Sequence, residues 1–199
     1  GTPAYADDAK LATIALIKST ITAETVRSDV AELSSDEMGG RFFRSPFAEK
    51  AAKWVQARFE LIGLAPGAGS DSFRQPVDKN PETGPNIIAT YPGRGEGFII
   101  VSSHYDHLRP KRTGEDKIFN GADDNASGTS VLLELARKLG ARKEKLPRRV
   151  VFIAFTAEES GLIGSARYCA EPVFPLEKTI AMLNMDMVGR LTDNKLTIF

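Results

Sequence analysis

GFIIVSSHYDHL, residues 97–108, is the stretch that decides the fold of this protein. Residues 98–103 form a short apolar run rich in β-branched side chains, which is typical of a strand that is buried on both faces. The run ends in His104-Tyr105-Asp106-His107, so two imidazoles and a carboxylate follow the strand directly. In open α/β sheets, ligands bind at the carboxyl ends of the strands. Both histidines of the chain therefore lie where a ligand site is expected.

Strands and helices alternate on both sides of this stretch. The patterns of apolar residues predict further strands at 86–91, 149–155 and 180–185, with a short edge strand near 73–77. They predict helices at 7–34, 46–62, 126–139 and 162–170. We expect the strands at 86–91 and 98–103 to pair as a hairpin, and the strand at 180–185 to be buried. The alternation predicts an α/β fold of three layers, in which a mostly parallel mixed β-sheet is flanked by helices.

Composition limits the classes of function. The 199 residues are 42% hydrophobic and 26% charged, as in a globular domain of ordinary to large size. The net charge is zero, so nothing favours nucleic acid or an anionic membrane as a partner. No apolar run approaches the roughly 20 residues that a membrane-spanning helix needs. Ala4-Tyr5-Ala6 resembles the end of a signal-peptide cleavage site, and we therefore expect an exported protein.

Groups that can bind a metal follow three predicted strands. They are His104 and Asp106 after the first strand, Glu158 and Glu159 after the second, Asp186 after the third, and Asp123 and Asp124 in the loop before a helix. A parallel sheet places these strand ends along one edge. Carboxylates do not cluster in a partly buried pocket without a compensating cation, because desolvation and mutual repulsion would protonate them. Imidazole with several carboxylates is the ligand set of a divalent transition metal, and zinc is the leading candidate.

Each of these groups has a common structural explanation when it is taken alone. A His-x-Asp pair is more often a hydrogen-bonded surface pair than a metal site. Two aspartates before a helix usually cap it or interact with its dipole, and two glutamates after a strand are usually solvated. The metal hypothesis depends on the joint occurrence of all the groups, in this order, at the ends of buried strands and the start of a helix.

Four segments of the chain resemble the co-catalytic two-zinc aminopeptidase family, of the bacterial leucyl aminopeptidase type. They are HYDH at 104–107, GADDNASG at 121–128, AEESGLIGS at 157–165 and NMDM at 184–187. Residues 40–41 and 61–66 also resemble pieces typical of bacterial members. The resemblance implies a zinc-dependent exopeptidase fold, with an N-terminal helical extension at 1–38 and the catalytic domain at 39–199.

The resemblance implies a role for each metal-binding residue. Asp124 would bridge two zinc ions, and the peptide bond that follows it would be cis. His104 and Asp186 would complete the ligands of one zinc, and Glu159 would bind the other. In the family a late histidine completes the second zinc, but this chain contains only His104 and His107. We therefore expect the chain to be the N-terminal two-thirds of a longer catalytic domain, with His107 as the alternative third ligand.

The resemblance also implies a reaction. Glu158 would be the general base that activates a water for attack on the scissile carbonyl, and Asp106 would accept a hydrogen bond from His104 and hold its tautomer. The substrate would be a peptide with a free N-terminus. A glutaminyl cyclase or a dipeptide carboxypeptidase on the same fold, and a metal-binding domain without catalysis, remain alternatives. The sequence leaves the oligomeric state open.

Overall fold

The computed structural model describes residues 21–69, 71–80, 82–142, 144–191 and 193. The helices are α1 (Ala23–Leu33), α2 (Pro46–Ile62), α3 (Gly128–Gly140) and α4 (Ile163–Ala170), with short 3₁₀ helices at Asp36–Arg41 and Leu176–Lys178. The strands are β1 (Ala65–Pro66), β2 (Arg74–Gln75), β3 (Asn86–Tyr91), β4 (Phe98–His104), β5 (Arg149–Phe155) and β6 (Thr179–Asn184). None of the described helices combines the length and the apolarity that crossing a membrane requires.

The described strands form one mixed, open sheet of six strands. Its order is β1-β3-β5-β4-β6, and β2 also pairs with β3. β4 runs parallel to both β5 and β6, whereas β3 runs antiparallel to β5. Because β4, β5 and β6 are parallel, their carboxyl ends meet at the same edge of the sheet. The predicted α/β class is confirmed, and this edge is where the predicted ligands follow their strands.

A separate hydrophobic cluster covers each face of the sheet. Along β5 the side chains alternate between the two clusters, as the two-residue period of a strand requires. Val55 of α2 and Leu132 of α3 belong to the cluster on one face, and Tyr168 of α4 belongs to the cluster on the other. The three layers are therefore present, as predicted. Leu33 of α1 lies in the same cluster as α2 and α3, and the domain boundary after residue 38 stays a prediction.

Most element bounds agree with the sequence patterns. α2 begins at Pro46, whose fixed φ suits a first helical position, and ends before Gly63, which has a left-handed φ of 80°. β2 is the short strand that was expected near 73–77. The predicted continuous helix at 7–34 is wrong at Thr22, which is extended and caps α1: its Oγ1 accepts a hydrogen bond from the N–H of Thr25, so the helix begins at Ala23. Residues 7–20 lie outside the described part of the chain.

The predicted hairpin of β3 and β4 is wrong. β3 pairs with β5, with Ile88 opposite Ile153, and β4 pairs with the other edge of β5. Proximity in sequence cannot distinguish direct pairing from the insertion of a later strand between two earlier ones. The residues of β5 after Arg149 are all buried. This strand therefore gains most from the central position, where both of its edges are hydrogen-bonded and both of its faces are covered.

The prediction that the strand at 180–185 is buried is also wrong. Ile180, Met182 and Leu183 of β6 are 56%, 51% and 56% exposed. β6 is the edge strand on its side of the described sheet, where β4 is its neighbour. An apolar run indicates that a strand can be buried, but coverage depends on which other elements pack against it.

Candidate metal centre

The carboxyl ends of β4 and β6 bring the first group of ligands together around one imidazole nitrogen. His104, the last residue of β4, is 2% exposed. Its Nε2 lies 3.3 Å from Asp124 Oδ1 and 3.4 Å from Asp186 Oδ1. Asp186 reaches this position because β6 runs parallel to β4 and ends at Asn184, two residues before Asp186. Glu158, after β5, places Oε2 3.9 Å from the same nitrogen.

A second group forms on the other oxygen of Asp124. His107 Nδ1 lies 2.8 Å from Glu159 Oε1 and 3.9 Å from Asp124 Oδ2. The donor atoms of His104, Asp124 and Asp186 lie within 4.8 Å of one another, and so do those of His107, Asp124 and Glu159. Asp124 is common to both groups, which is the bridging position that the resemblance implied. The structure also brings His107 to the second group, although it follows His104 by only three residues.

The chemistry of the donors fits a divalent cation. Each group offers one imidazole and two carboxylates, the mixed nitrogen and oxygen set that zinc accepts in open sites. Burial by itself would lower the pKa of His104, but the carboxylates of Asp106, Asp124 and Asp186 raise that pKa to about 12. The surroundings of His104 Nε2 therefore strongly favour positive charge. The side chains of Asp124 and Asp186 are 31% and 42% exposed, so the site is open on one side.

The two glutamates after β5 have altered proton affinities. Burial, followed by the charge of Asp124, raises the pKa of Glu159 to about 7. Burial also raises the pKa of Glu158. The cause in both cases is that a carboxylate in a crowded, partly dehydrated acidic cluster is costly to ionise. A cation bound between these groups would lower the pKa of the carboxyl groups that bind it.

Asp106 connects the end of β4 to the two glutamates. Its carboxylate is fully buried and accepts hydrogen bonds from the backbone N–H of Glu158 at 3.0 Å and of Glu159 at 3.4 Å. Asp106 Oδ1 lies 3.6 Å from His104 Nδ1, which is longer than a hydrogen bond. The nearer acceptor for this nitrogen is the backbone carbonyl of Asp106, at 3.2 Å. The role of Asp106 as the hydrogen-bond partner of His104 stays a prediction, and its contact with the glutamate turn is new.

Asn125, which the sequence analysis did not assign to the site, holds the residues on both sides of Asp186. Its Nδ2 donates to the carbonyl of Met185 at 3.0 Å, and its Oδ1 accepts from the N–H of Met187 at 3.3 Å. The Asp124–Asn125 peptide bond is cis, as the resemblance implied. The position of Asn125 directly after a bridging ligand was the only available signal for this role.

Asp123, which the sequence also offered as a metal-binding group, lies in neither ligand group; its Oδ1 accepts a hydrogen bond from the N–H of Gly189 at 2.9 Å. The six other residues predicted for the site lie in one cluster at the edge of the sheet. They are His104, Asp106, Asp124, Glu158, Glu159 and Asp186. Two adjacent positions for cations, with a carboxylate beside them that belongs to neither ligand group, are suited to hydrolysis by an activated water.

Comparison with known proteins agrees with this geometry. Peptidase family M28 matches residues 86–199. Leucine aminopeptidase 1 of Arthroderma otae is 31% identical over 176 residues, which are 85% of this chain and 46% of that protein. The chain thus spans about half the length of this relative.

Solved structures with the same fold include two bacterial proteins. LapB of Legionella pneumophila has a TM-score of 0.67 at 24% identity, over 88% of this chain and 46% of that chain. Glutaminyl cyclase of Porphyromonas gingivalis has a TM-score of 0.68 at 26% identity, over 85% of this chain and 62% of that chain. The family match covers more than half of the chain and includes every predicted metal ligand, so the chain belongs to peptidase family M28.

Proposed function

We propose that this protein is a zinc-dependent aminopeptidase that hydrolyses the N-terminal residue from peptides. The observation that carries the proposal is the pair of three-donor groups that share Asp124. Glu158 lies beside them, with Oε2 3.9 Å from His104 Nε2, and belongs to neither group. Membership of peptidase family M28 and the likeness to Leucine aminopeptidase 1 support the same conclusion.

The residues present would hold two zinc ions. His104, Asp124 and Asp186 would bind one, and Asp124, Glu159 and His107 would bind the other. When bound, the ions would lower the pKa of a coordinated water and polarise the scissile carbonyl. A histidine from outside the 199 residues, as the family resemblance implied, would be the alternative to His107 as the third ligand of the second ion.

Glu158 would move the proton during the reaction. It would take a proton from the attacking water, and then give that proton to the amine that leaves when the peptide C–N bond breaks. Its side chain is 34% exposed, so it can reach a substrate at the open side of the site. Burial raises the pKa of Glu158 above that of an ordinary glutamate, which suits a group that must both accept and release a proton.

Substituting Glu158 tests this proposal. We expect Glu158→Gln to lower leucyl-anilide turnover by about 10²- to 10⁴-fold, the range for losing a general base, while the zinc content stays unchanged. Glu177→Gln is the matched control, because Glu177 is exposed and lies in a 3₁₀ helix outside the cluster. Full turnover in Glu158→Gln would show that this residue is not the base. A wild-type protein that holds zinc without any turnover would favour a binding domain.

A glutaminyl cyclase is the second candidate, favoured by the structural likeness to the enzyme from Porphyromonas gingivalis. A cyclase would release ammonia from a substrate with N-terminal glutamine and leave its peptide bonds intact. The second three-donor group, with His107 and Glu159, favours the peptidase, because it provides for a second ion. A peptide with N-terminal glutamine would distinguish the two reactions, if the products are identified by mass spectrometry. A dipeptide with a free C-terminal carboxylate would test for a dipeptide carboxypeptidase.

We also propose that the protein is exported. The support is the sequence Ala4-Tyr5-Ala6, which is similar to the small-residue pattern of a signal-peptidase site. N-terminal sequencing of the mature protein from the extracellular or periplasmic fraction would test it. Recovery only from the cytoplasm would contradict the proposal.

A further inference from the structure

Arg41 is a buried cation that the catalytic proposal does not use. Its side chain has no exposed surface, and it is among the largest fully buried side chains of the described residues. Arg41 ends the 3₁₀ helix Asp36–Arg41 in a left-handed conformation, with φ at 56°. Burial lowers its pKa to about 10, although the charges of Asp106 and Asp124 oppose this effect. A guanidinium is tolerated in such a place only when its N–H groups are hydrogen-bonded.

The hydrogen bonds of Arg41 all go to backbone carbonyls. Nε donates to Tyr105 at 2.8 Å, Nη1 to Asn120 at 2.8 Å and also to Leu33, and Nη2 to Gly121 at 3.0 Å. Within the described part of the chain, no carboxylate lies within ion-pair distance of this guanidinium. The side chain therefore connects three segments of backbone and does not serve as the partner of one acidic residue.

Two of these segments carry the metal ligands. Tyr105 lies between His104 and Asp106, and Gly121 precedes Asp124 by three residues. One planar group thus holds the turn that follows β4 and the loop that leads to the shared carboxylate. The guanidinium has five N–H donors in a rigid fork, so its four acceptors have defined positions relative to one another.

The segment at 119–121 also packs closely against the 3₁₀ helix. A Cβ added to Gly40 would lie 2.7 Å from the carbonyl oxygen of Phe119, and one added to Gly121 would lie 2.6 Å from Arg41 Nη2. Asn120 Nδ2 donates to the carbonyl of Ser34 and to Asp36 Oδ1, both at 2.8 Å. Glycines at these two positions allow the close approach that places the guanidinium within reach of both ligand-bearing segments.

We propose that Arg41 is a positioning residue. Its single guanidinium donates hydrogen bonds to carbonyls of both ligand-bearing segments and thereby sets the separation of His104 from Asp124. The inference rests on the proposed zinc site, whose affinity would depend on that separation. A lysine at position 41 would keep the charge, but its three donors on a flexible chain could not serve all four carbonyls in one plane.

Zinc binding by Arg41→Lys, in the full-length protein, tests the proposal. We expect zinc affinity, measured by competition with a chromophoric chelator, to fall about 10- to 100-fold, the range for residues that orient metal ligands. The visible absorption of the cobalt-loaded protein should change as well, because the ligand geometry changes. Arg41→Met, which also removes the charge, should bind zinc more weakly than Arg41→Lys. Urea unfolding of each variant gives its stability.

Arg137→Lys is the matched control. Arg137 joins α3 to α1 through Asp29, with Nη1 2.7 Å from Oδ2, and its other ion-pair partner among the described residues is Glu134 of α3, outside both ligand-bearing segments. We expect this variant to lose stability and to keep both the zinc affinity and the cobalt spectrum of the wild type. If weak zinc binding simply followed a loss of stability, Arg137→Lys would show it too, and the proposal would be overturned.

Two further outcomes separate this inference from the proposed function. An Arg41→Lys variant with wild-type zinc affinity and an unchanged cobalt spectrum would overturn the positioning role and leave the zinc site in place. A wild-type protein that binds no zinc would overturn the proposed function, and this inference with it. If Arg41→Met does not fold, Arg41→Lys decides the result. If neither variant folds, Arg41 is required for folding, and the positioning role is overturned.

Discussion

Replacing Asp106 with asparagine would test how the end of β4 holds the glutamate turn. The fully buried carboxylate accepts the backbone N–H of Glu158 at 3.0 Å and that of Glu159 at 3.4 Å. Asparagine has the same shape, but it offers one acceptor oxygen and one NH₂ group. One of the two backbone amides would therefore lose its acceptor, while the volume of the side chain would hardly change.

The size of the effect follows from these two bonds. A hydrogen bond to a charged group contributes about 1.5–3 kcal/mol, and the longer of the two belongs at the low end of this range. We therefore expect Asp106→Asn to lower the free energy of unfolding by about 2 kcal/mol, and to weaken zinc binding by about 10- to 100-fold, the range for groups that orient metal ligands. The protein should remain folded, because domains have about 5–15 kcal/mol of stability.

Isothermal titration of the metal-free protein with zinc would measure this change, and urea unfolding would confirm the fold. Asp116→Asn is the control, because Asp116 is exposed and accepts one backbone N–H, that of Ile118 at 3.2 Å. We expect wild-type zinc affinity in the control. A zinc affinity of Asp106→Asn within about twofold of wild type would refute the reasoning that this carboxylate holds the ligands in place.

Two further variants address the second group of ligands and the loop before Asp124. His107→Ala should lower the zinc content from two ions to one, because it leaves only two donors in the second group. Elemental analysis after dialysis would measure the zinc content. Two retained ions would mean that another residue supplies the third ligand. Gly121→Ala should weaken zinc binding, because its Cβ would lie 2.3 Å from the carbonyl oxygen of Asp124. Gly63→Ala is the control, because Gly63 also has a positive φ but has open space around it. This control should lower only the unfolding free energy, by about 1–2 kcal/mol. Equal zinc affinities for the two glycine variants would contradict this account.

The local pattern of the sequence was sufficient for most elements of the fold. Apolar periodicity identified α2, β3, β4 and β5, because burial on one or both faces leaves a period that is visible in a single chain. It could not identify the neighbours of a strand. β5 inserts between β3 and β4. This order depends on how the helices and neighbouring strands bury β3, β4 and β5 together, which is a property of the whole sheet.

The candidate site was predictable for a similar reason. His104 and Asp186 follow parallel strands directly, so chain order was enough to place them at the same edge. His107 was harder, since nothing in the spacing tells whether a residue three positions later turns back toward Glu159. Arg41 and Asn125 were missed because their partners are backbone groups distant in sequence, and a backbone carbonyl has no residue type to recognise.

By itself, the sequence determined the fold class, the family and the residues that can bind metal, because each of these depends on side-chain chemistry and on periods of a few residues. The family resemblance also implied two ligand groups that share Asp124. Only the tertiary structure decided that His107 reaches the second group, and that Asp106, Asn125 and Arg41 hold the ligand-bearing segments. The physical reason is distance. Coordination and hydrogen bonding need atoms placed within a few tenths of an ångström. Segments separated by 80 or more residues acquire such positions only when the whole domain packs.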